Sequence, residues 1–118
     1  MARAVVVDDY PFMRELLGEI LKRAGYEVAG SAGSAAELME GLQGWRPDIL
    51  ILDIMLPDGN GVEVTQRVLA RSPAVKVLVI SGLDEEGELT ASCMAAGAKG
   101  FLAKPFSREA LLAVLAKL

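Results

Sequence analysis

The sequence predicts an α/β domain in which a parallel β-sheet carries helices on both faces. Short apolar runs rich in β-branched residues alternate with segments whose apolar residues recur at helical spacing. Cap and turn residues fall between these segments, and several of the apolar runs end at a polar residue. The 118 residues, 53% of them hydrophobic, suit a single domain covering residues 1–118 with a substantial core.

The first half of the chain contains three strand signals and two helix signals. The predicted strands cover residues 4–7, 27–31 and 48–53, of which the second is weak and is placed at a sheet edge. Pro11 suits the first turn of a helix that ends at Gly25. The apolar positions of that helix are Phe12, Leu16, Leu17, Ile20 and Leu21. Ser34 and Glu37 form a capping box that predicts a second helix through Leu42.

The second half repeats the alternation. Asp58 and Asn60 are assigned to a glycine-rich turn before a helix over residues 62–70. Strands are predicted at residues 75–80 and 99–103, separated by a helix that Asp84 caps and that ends near Gly97. Ser107 caps a final helix over residues 108–118. Because that helix is apolar nearly all round, the sequence predicts a partner surface there or a domain that follows it.

Five successive strand–helix units restrict the topology. Right-handed crossovers leave few arrangements for a parallel sheet, and five units fit the flavodoxin-like strand order 2-1-3-4-5. The predicted fold is therefore a flavodoxin-like (βα)5 domain with a five-stranded parallel sheet.

Composition excludes several classes of function. The chain has no histidine, which removes histidine-based catalysis and histidine-ligated metals. Its net charge is −4 and it shows no basic cluster, so direct nucleic-acid binding is not expected. No apolar run approaches the length of a membrane span, and the start of the chain has no signal-peptide pattern. The single cysteine, Cys93, fits a reducing compartment, and the expected location is the cytoplasm.

Polar residues follow four of the predicted strands at their carboxyl ends. These residues are Asp8 and Asp9 after the first strand, Asp53 after the third, Ser81 after the fourth and Lys104 after the fifth. Each could act only as a cap or turn residue, and for Asp53 alone that interpretation is about as good as a functional one. Because ligands of open parallel sheets bind outside the carboxyl ends of the strands, their convergence favours a site.

Three carboxylates at one place predict a bound cation. They repel one another, and Lys104 supplies only one positive charge. Oxygen ligands favour Mg²⁺, with Mn²⁺ as the alternative, and Mg²⁺ commonly completes its shell with water and phosphate. A carboxylate beside such an ion is a nucleophile toward phosphoryl groups and forms an aspartyl phosphate.

Together these motifs resemble the receiver domain of response regulators, in particular the single-domain chemotaxis type. The resemblance covers the whole chain. It is carried by Asp8-Asp9, by Asp53 with Pro57 and Gly61 downstream, by Ser81, and by residues 97–105 around Lys104-Pro105. It implies a switch of two-component signalling that catalyses only its own phosphorylation and dephosphorylation.

The resemblance also implies residue roles. Asp53 would accept a phosphoryl group from a histidine kinase or a phosphotransfer protein. Asp9, Asp53 and the backbone carbonyl of Met55 would bind Mg²⁺, and Asp8 would hold a water ligand. Lys104, in a cis bond to Pro105, would bind the phosphoryl group.

The resemblance places the output of the switch on one face. Ser81 would bond a phosphoryl oxygen and Phe101 would rotate inward behind it, which changes the face formed by helix four, strand five and helix five. That face would contact an output protein or a second receiver. Tyrosine is common in the family where Phe101 stands. Met55 and Leu83 are apolar where polar residues in the family can orient the attacking water, which predicts slow self-dephosphorylation.

Other classes fit the sequence less well. A haloacid-dehalogenase-type phosphatase wants a second aspartate two residues after the nucleophile, and Met55 stands there. A flavodoxin needs a phosphate loop after the first strand, where Asp8 and Asp9 would repel the phosphate. A pseudo-receiver, an interaction module that is never phosphorylated, is the alternative against which the complete set of site residues argues.

Overall fold

The computed structural model describes residues 2–82 and 87–118. In chain order the elements are β1 (Arg3–Val7), α1 (Pro11–Arg23), β2 (Glu27–Ala32), α2 (Ala35–Trp45), β3 (Ile49–Asp53), β4 (Met55–Leu56), β5 (Gly59–Asn60), α3 (Gly61–Arg71), β6 (Lys76–Ser81), α4 (Glu88–Ala95), β7 (Gly100–Ala103) and α5 (Arg108–Ala116). Strands β6 and β7 are the predicted fourth and fifth strands. The short strands β4 and β5 form a hairpin where the sequence predicts only a turn.

The main sheet is parallel and has the order β2-β1-β3-β6-β7. This order is the predicted 2-1-3-4-5, so the flavodoxin-like fold is confirmed. Strand β3 lies at the centre and all five of its residues are buried, which explains its continuous apolar run. Strand β2 lies at one edge, as the weakness of its sequence pattern predicts.

Alternate residues of the strands pack into two separate cores. On one face, Val5, Leu50 and Leu52 pack with residues of α2, α3 and α4. On the other face, Val6 and Ile51 pack with residues of α1 and α5. Both faces of the sheet are therefore covered, and the carboxyl ends of the strands remain at one edge. Within the described ranges, no helix combines the length and apolar character that crossing a membrane requires.

Side-chain caps begin three helices. Ser34 Oγ accepts a hydrogen bond from Glu37 N at 3.1 Å, and Ser107 Oγ accepts one from Ala110 N at 3.0 Å. Both caps were predicted. The Glu37 carboxylate approaches Gly33 N at 3.4 Å, one residue before the position that a capping box would use. Asn60, predicted only as a turn residue, caps α3.

Two expectations about apolar surfaces need correction. Phe12 and Leu16 share the helical spacing of the buried Leu17 and Leu21, yet they are 62% and 40% exposed. Their side chains lie outside the strip of α1 that faces the sheet.

The apolar surplus of α5 is smaller than its sequence predicts. Leu111 and Leu115 are buried, and Leu112, Val114 and Leu118 pack against the same core. The exposed apolar positions of α5 are alanines, Ala113 and Ala116. The helix therefore uses its large side chains within the domain. The predicted cap Asp84 and the flanking Leu83 lie outside the described residues.

Candidate functional site

The carboxyl ends of β1 and β3 bring three aspartates together. Oxygens of Asp8, Asp9 and Asp53 lie within 4.8 Å of one another. Asp8 and Asp53 are buried, with 1% and 7% of their surface exposed, whereas Asp9 is exposed. The adjacent strands pair in parallel, and this pairing sets Val7 of β1 beside Leu52 of β3. Asp8 and Asp53, the residues that follow Val7 and Leu52, therefore lie close together at the carboxyl edge of the sheet.

Lys104 joins two of the carboxylates. It follows β7, and its backbone N–H donates to the Ser81 carbonyl at 2.7 Å, which fixes the loop beside β6. Its Nζ lies 3.1 Å from Asp8 Oδ2 and 3.2 Å from Asp53 Oδ2. The Lys104–Pro105 peptide bond is cis, as the resemblance implied.

The second oxygen of each buried carboxylate accepts a backbone N–H. Asp8 Oδ1 accepts from Tyr10 N at 2.9 Å, and Asp53 Oδ1 accepts from Met55 N at 3.0 Å. The Asp8 carboxylate is therefore bonded on both oxygens and held in one orientation. The Asp53 carboxylate is turned toward both Lys104 and the hairpin that follows it.

The electrostatics of the site favour a bound cation. Burial raises the pKa of Asp53 above its ordinary value, and the charge of Asp8 raises it further. The hydrogen bond from Met55 N and the charge of Lys104 lower that pKa but do not cancel the rise. Burial would lower the pKa of Lys104, yet its hydrogen bond to Asp8 and the charge of Asp53 raise it above the ordinary value. One ammonium thus compensates the Asp53 carboxylate incompletely.

The donor set fits a hard divalent ion. Carboxylate and carbonyl oxygens are the ligands that Mg²⁺ and Mn²⁺ prefer. Asp9 is open to solvent, and Met55, the first residue of the hairpin, is 56% exposed. A cation could therefore meet the Asp9 carboxylate directly from solvent.

Ser81 and Phe101 lie at a neighbouring cavity. Ser81 ends β6 and is 9% exposed, whereas Phe101 of β7 is 54% exposed. Both line a cavity of about 350 Å³ between β7 and α4, together with Gly87, Thr90, Ala91, Met94 and Ala103. The residues singled out from the sequence after β1, β3, β6 and β7 therefore all lie at this edge of the sheet or on the adjoining cavity.

Two contributors near the site were not identified from the sequence. Arg14 Nη1 donates to the Asp8 carbonyl at 2.7 Å, which fixes the backbone between Asp8 and Asp9, the two aspartates that follow β1. Asp58, in the turn of the β4–β5 hairpin, accepts hydrogen bonds from Ala35 N and Ala36 N. Those two bonds hold the pKa of Asp58 below its ordinary value. Both contacts are long-range or involve the backbone, and no local sequence pattern indicates them.

Comparison with known proteins agrees with this architecture. Residues 4–116 match the family model described as response regulator receiver domain. The chemotaxis protein CheY of Thermotoga maritima is 36% identical over 115 residues, covering 98% of this chain and 95% of that protein. The structure of chemotaxis protein CheY4 of Vibrio cholerae superposes with a TM-score of 0.89 at 32% identity, covering 100% of this chain and 99% of that chain.

A complex of CheX, CheY, BeF₃ and Mg²⁺ from Borrelia burgdorferi contains another similar chain. Its TM-score is 0.87 at 27% identity, covering 97% of this chain and 86% of that chain. The fold, the family match and these relatives define the class: the chain belongs to the response regulator receiver domain family. Receiver domains are signalling proteins of two-component systems, and this one is of the CheY type.

Proposed function

We propose that this chain, as one receiver domain over residues 1–118, is a cytoplasmic switch that accepts a phosphoryl group on Asp53. The donor would be a histidine kinase or a phosphotransfer protein. The observation that carries the proposal is the convergence of three carboxylates and Lys104 at the carboxyl edge of the sheet. The proposal is further supported by the family match and by the BeF₃ and Mg²⁺ present in the complex of a similar chain.

Mg²⁺ would be held by Asp9, Asp53 and the Met55 carbonyl, with Asp8 holding a water ligand. Two features support this division. Asp9 is exposed to solvent, and Asp8 is the more deeply buried of the other two aspartates, with 1% of its surface exposed against 7% for Asp53. When bound, the ion would neutralise charge on the carboxylates and on the incoming phosphoryl oxygens.

In the transfer step an Asp53 oxygen forms a bond to phosphorus while the P–N bond of a phosphohistidine breaks. The electron pair of that bond stays on the imidazole nitrogen, which can then take a proton. Asp53 must be ionised to attack phosphorus. Burial raises its pKa and so favours the protonated form, whereas the Met55 N–H and Lys104 favour the ionised form. After transfer, the Lys104 ammonium would form an ion pair with a phosphoryl oxygen, since its Nζ is already 3.2 Å from Asp53 Oδ2.

Phosphorylation would move Ser81 and Phe101, and these movements would alter the face formed by α4, β7 and α5. The Ser81 hydroxyl would donate to a phosphoryl oxygen, and Phe101 would turn into the cavity that both residues line. The exposed ring of Phe101 and the volume of the cavity support this movement. An output protein or a second receiver would read the altered face.

Intact-mass measurement tests the proposal. The chain would be incubated with acetyl phosphate, with Mg²⁺ or with a chelator, and compared with Asp53→Asn. The matched control is Asp48→Asn, because Asp48 lies just before the opposite end of the same strand and is exposed. We expect one phosphoryl adduct in wild type and in Asp48→Asn, only with Mg²⁺, and none in Asp53→Asn. Absence of any adduct, or an adduct retained in Asp53→Asn, would overturn the proposal; the first result would favour a pseudo-receiver.

A further inference from the structure

The turn of the β4–β5 hairpin is fastened to a distant helix by one side chain. Asp58 Oδ1 accepts from Ala35 N at 2.7 Å, and Asp58 Oδ2 accepts from Ala36 N at 3.0 Å. These are the first two N–H groups of α2, which have no acceptor within the helix itself. The contact spans 23 and 22 residues of sequence. Asp58 is therefore a second cap of α2, supplied from another part of the chain.

Helix α2, which receives this contact, is itself packed firmly in the domain. Its residues Leu38 and Leu42 are 0% and 2% exposed, and Ser34 caps it independently. At its other end Trp45 packs over Gly30 of β2, where a Cβ would collide with the indole ring. A group bonded to the first turn of α2 is thus held relative to the main sheet.

The hairpin connects Asp58 to the candidate cation site. Met55 pairs with Asn60 and Leu56 pairs with Gly59, so Pro57 and Asp58 form the turn between the two short strands. Met55 N donates to Asp53 Oδ1 at 3.0 Å, and the Met55 carbonyl belongs to the same residue. The Met55 side chain is 56% exposed and gives the hairpin little anchorage in the core. The base of the hairpin is held by backbone hydrogen bonds, from Ile54 N to the Ile80 carbonyl at 3.0 Å and from Gly61 N to the Ile54 carbonyl at 2.7 Å, and Leu56 is buried. The Asp58 contact holds the turn at its other end.

We infer that Asp58 is a positioning residue for the cation: by fastening the hairpin to α2, it fixes the Met55 carbonyl and the Met55 N–H that orients Asp53. This inference rests on the proposed function, since it assumes that the Met55 carbonyl is a ligand. Ligand groups that are held in place bind a metal more tightly, because less freedom is lost on binding. Release of the hairpin from α2 would therefore weaken cation binding without removing any ligand.

Mn²⁺ binding measured by electron paramagnetic resonance tests this inference, because the spectrum of free Mn²⁺ reports affinity with no phosphoryl transfer. Asp58→Ala removes both contacts to α2. Ser34→Ala is the matched control, since it removes a cap from the same helix end but leaves the hairpin fastened. Asp58→Asn keeps one carbonyl oxygen as an acceptor and should rescue part of the loss. Thermal unfolding of each variant would establish that it is folded.

We expect Asp58→Ala to weaken Mn²⁺ binding by about three- to tenfold, less than the ~10–100-fold typical of groups that touch a metal ligand directly. Ser34→Ala should bind Mn²⁺ as tightly as wild type does, even if its unfolding temperature falls as much as that of Asp58→Ala. Unchanged affinity in Asp58→Ala, or an equal loss in both variants, would overturn the inference and leave Asp58 as a cap of α2. If wild type itself binds no Mn²⁺, the proposed cation site fails, and this inference fails with it.

Discussion

Replacing Lys104 by methionine should destabilise the domain in a pH-dependent way. Its Nζ lies 3.1 and 3.2 Å from carboxylates whose side chains are 1% and 9% exposed, while its own side chain is 25% exposed. At an effective dielectric constant near 20, each of these pairs corresponds to a gross attraction of about 5 kcal/mol. Dehydration of the three groups offsets most of that attraction. Because loss of one partner from a fully buried pair costs roughly 3–5 kcal/mol, we expect about 2–3 kcal/mol for this partly exposed one.

The pH dependence follows from the direction of the Asp53 pKa. That pKa is raised in the folded state, so the folded protein binds the proton more tightly than the unfolded chain does. Ionisation of Asp53 therefore lowers stability as pH rises from the unfolded pKa of 3.8 through the raised folded value. Loss of Lys104 raises the pKa of Asp53 in the folded protein further, because the charge and hydrogen bond of Lys104 lower that pKa in wild type. The penalty of Lys104→Met should thus be largest at neutral pH and should shrink in acid.

Urea unfolding at about pH 8 and about pH 4, without divalent cations, measures this difference. With a slope of about 2 kcal/mol per molar urea, the expected loss moves the midpoint by about 1–1.5 M at the higher pH. Lys99→Met removes the same charge from an exposed lysine and should change the midpoint little. An equal loss at both pH values, or none at pH 8, would refute the electrostatic reasoning.

Three further predictions concern the site and the core. Free Mg²⁺ at ten times its dissociation constant should stabilise wild type by about 1.4 kcal/mol in thermal unfolding but stabilise Asp53→Asn much less, and equal stabilisation of both would contradict the cation site. Met55→Asn should shorten the lifetime of the phosphorylated protein by about three- to tenfold, since an amide there could orient water; an unchanged lifetime, or the same effect from Met94→Asn, would contradict this. Among the described residues, the fully buried Thr65 hydroxyl has no hydrogen-bond partner, so Thr65→Val should raise the free energy of unfolding by about 1 kcal/mol, and a loss of stability in urea would show that the hydroxyl is satisfied.

The fold was predictable because its signals are local. The central strand β3 is buried on both faces, which leaves a continuous apolar run, and the edge strand β2 shows a weaker one. Ser34 and Ser107 cap the helices that follow them through contacts only three residues long. Periodicity alone did not decide which apolar residues of α1 face the sheet, so the exposure of Phe12 was not predicted.

The convergence of the site residues was predictable because a parallel sheet gathers the carboxyl ends of its strands. Asp8, Asp53 and Lys104 are close in space although they are distant in sequence, and topology alone accounts for their meeting. The supporting contacts were not predictable in the same way. Asp58 accepts hydrogen bonds from the first turn of α2, more than 20 residues away in sequence. A turn-forming aspartate looks the same in sequence whether or not it has such a partner.

The location of the phosphoryl group tests the central claim most directly. After reaction with acetyl phosphate and Mg²⁺, borohydride reduction would convert an aspartyl phosphate to homoserine, and peptide mass spectrometry would locate the altered residue. We predict homoserine at position 53 alone, with no reduction product at Asp8 or Asp9. An altered residue elsewhere, or an unmodified Asp53 in protein that carries a phosphoryl group, would contradict the assignment of Asp53 as the acceptor.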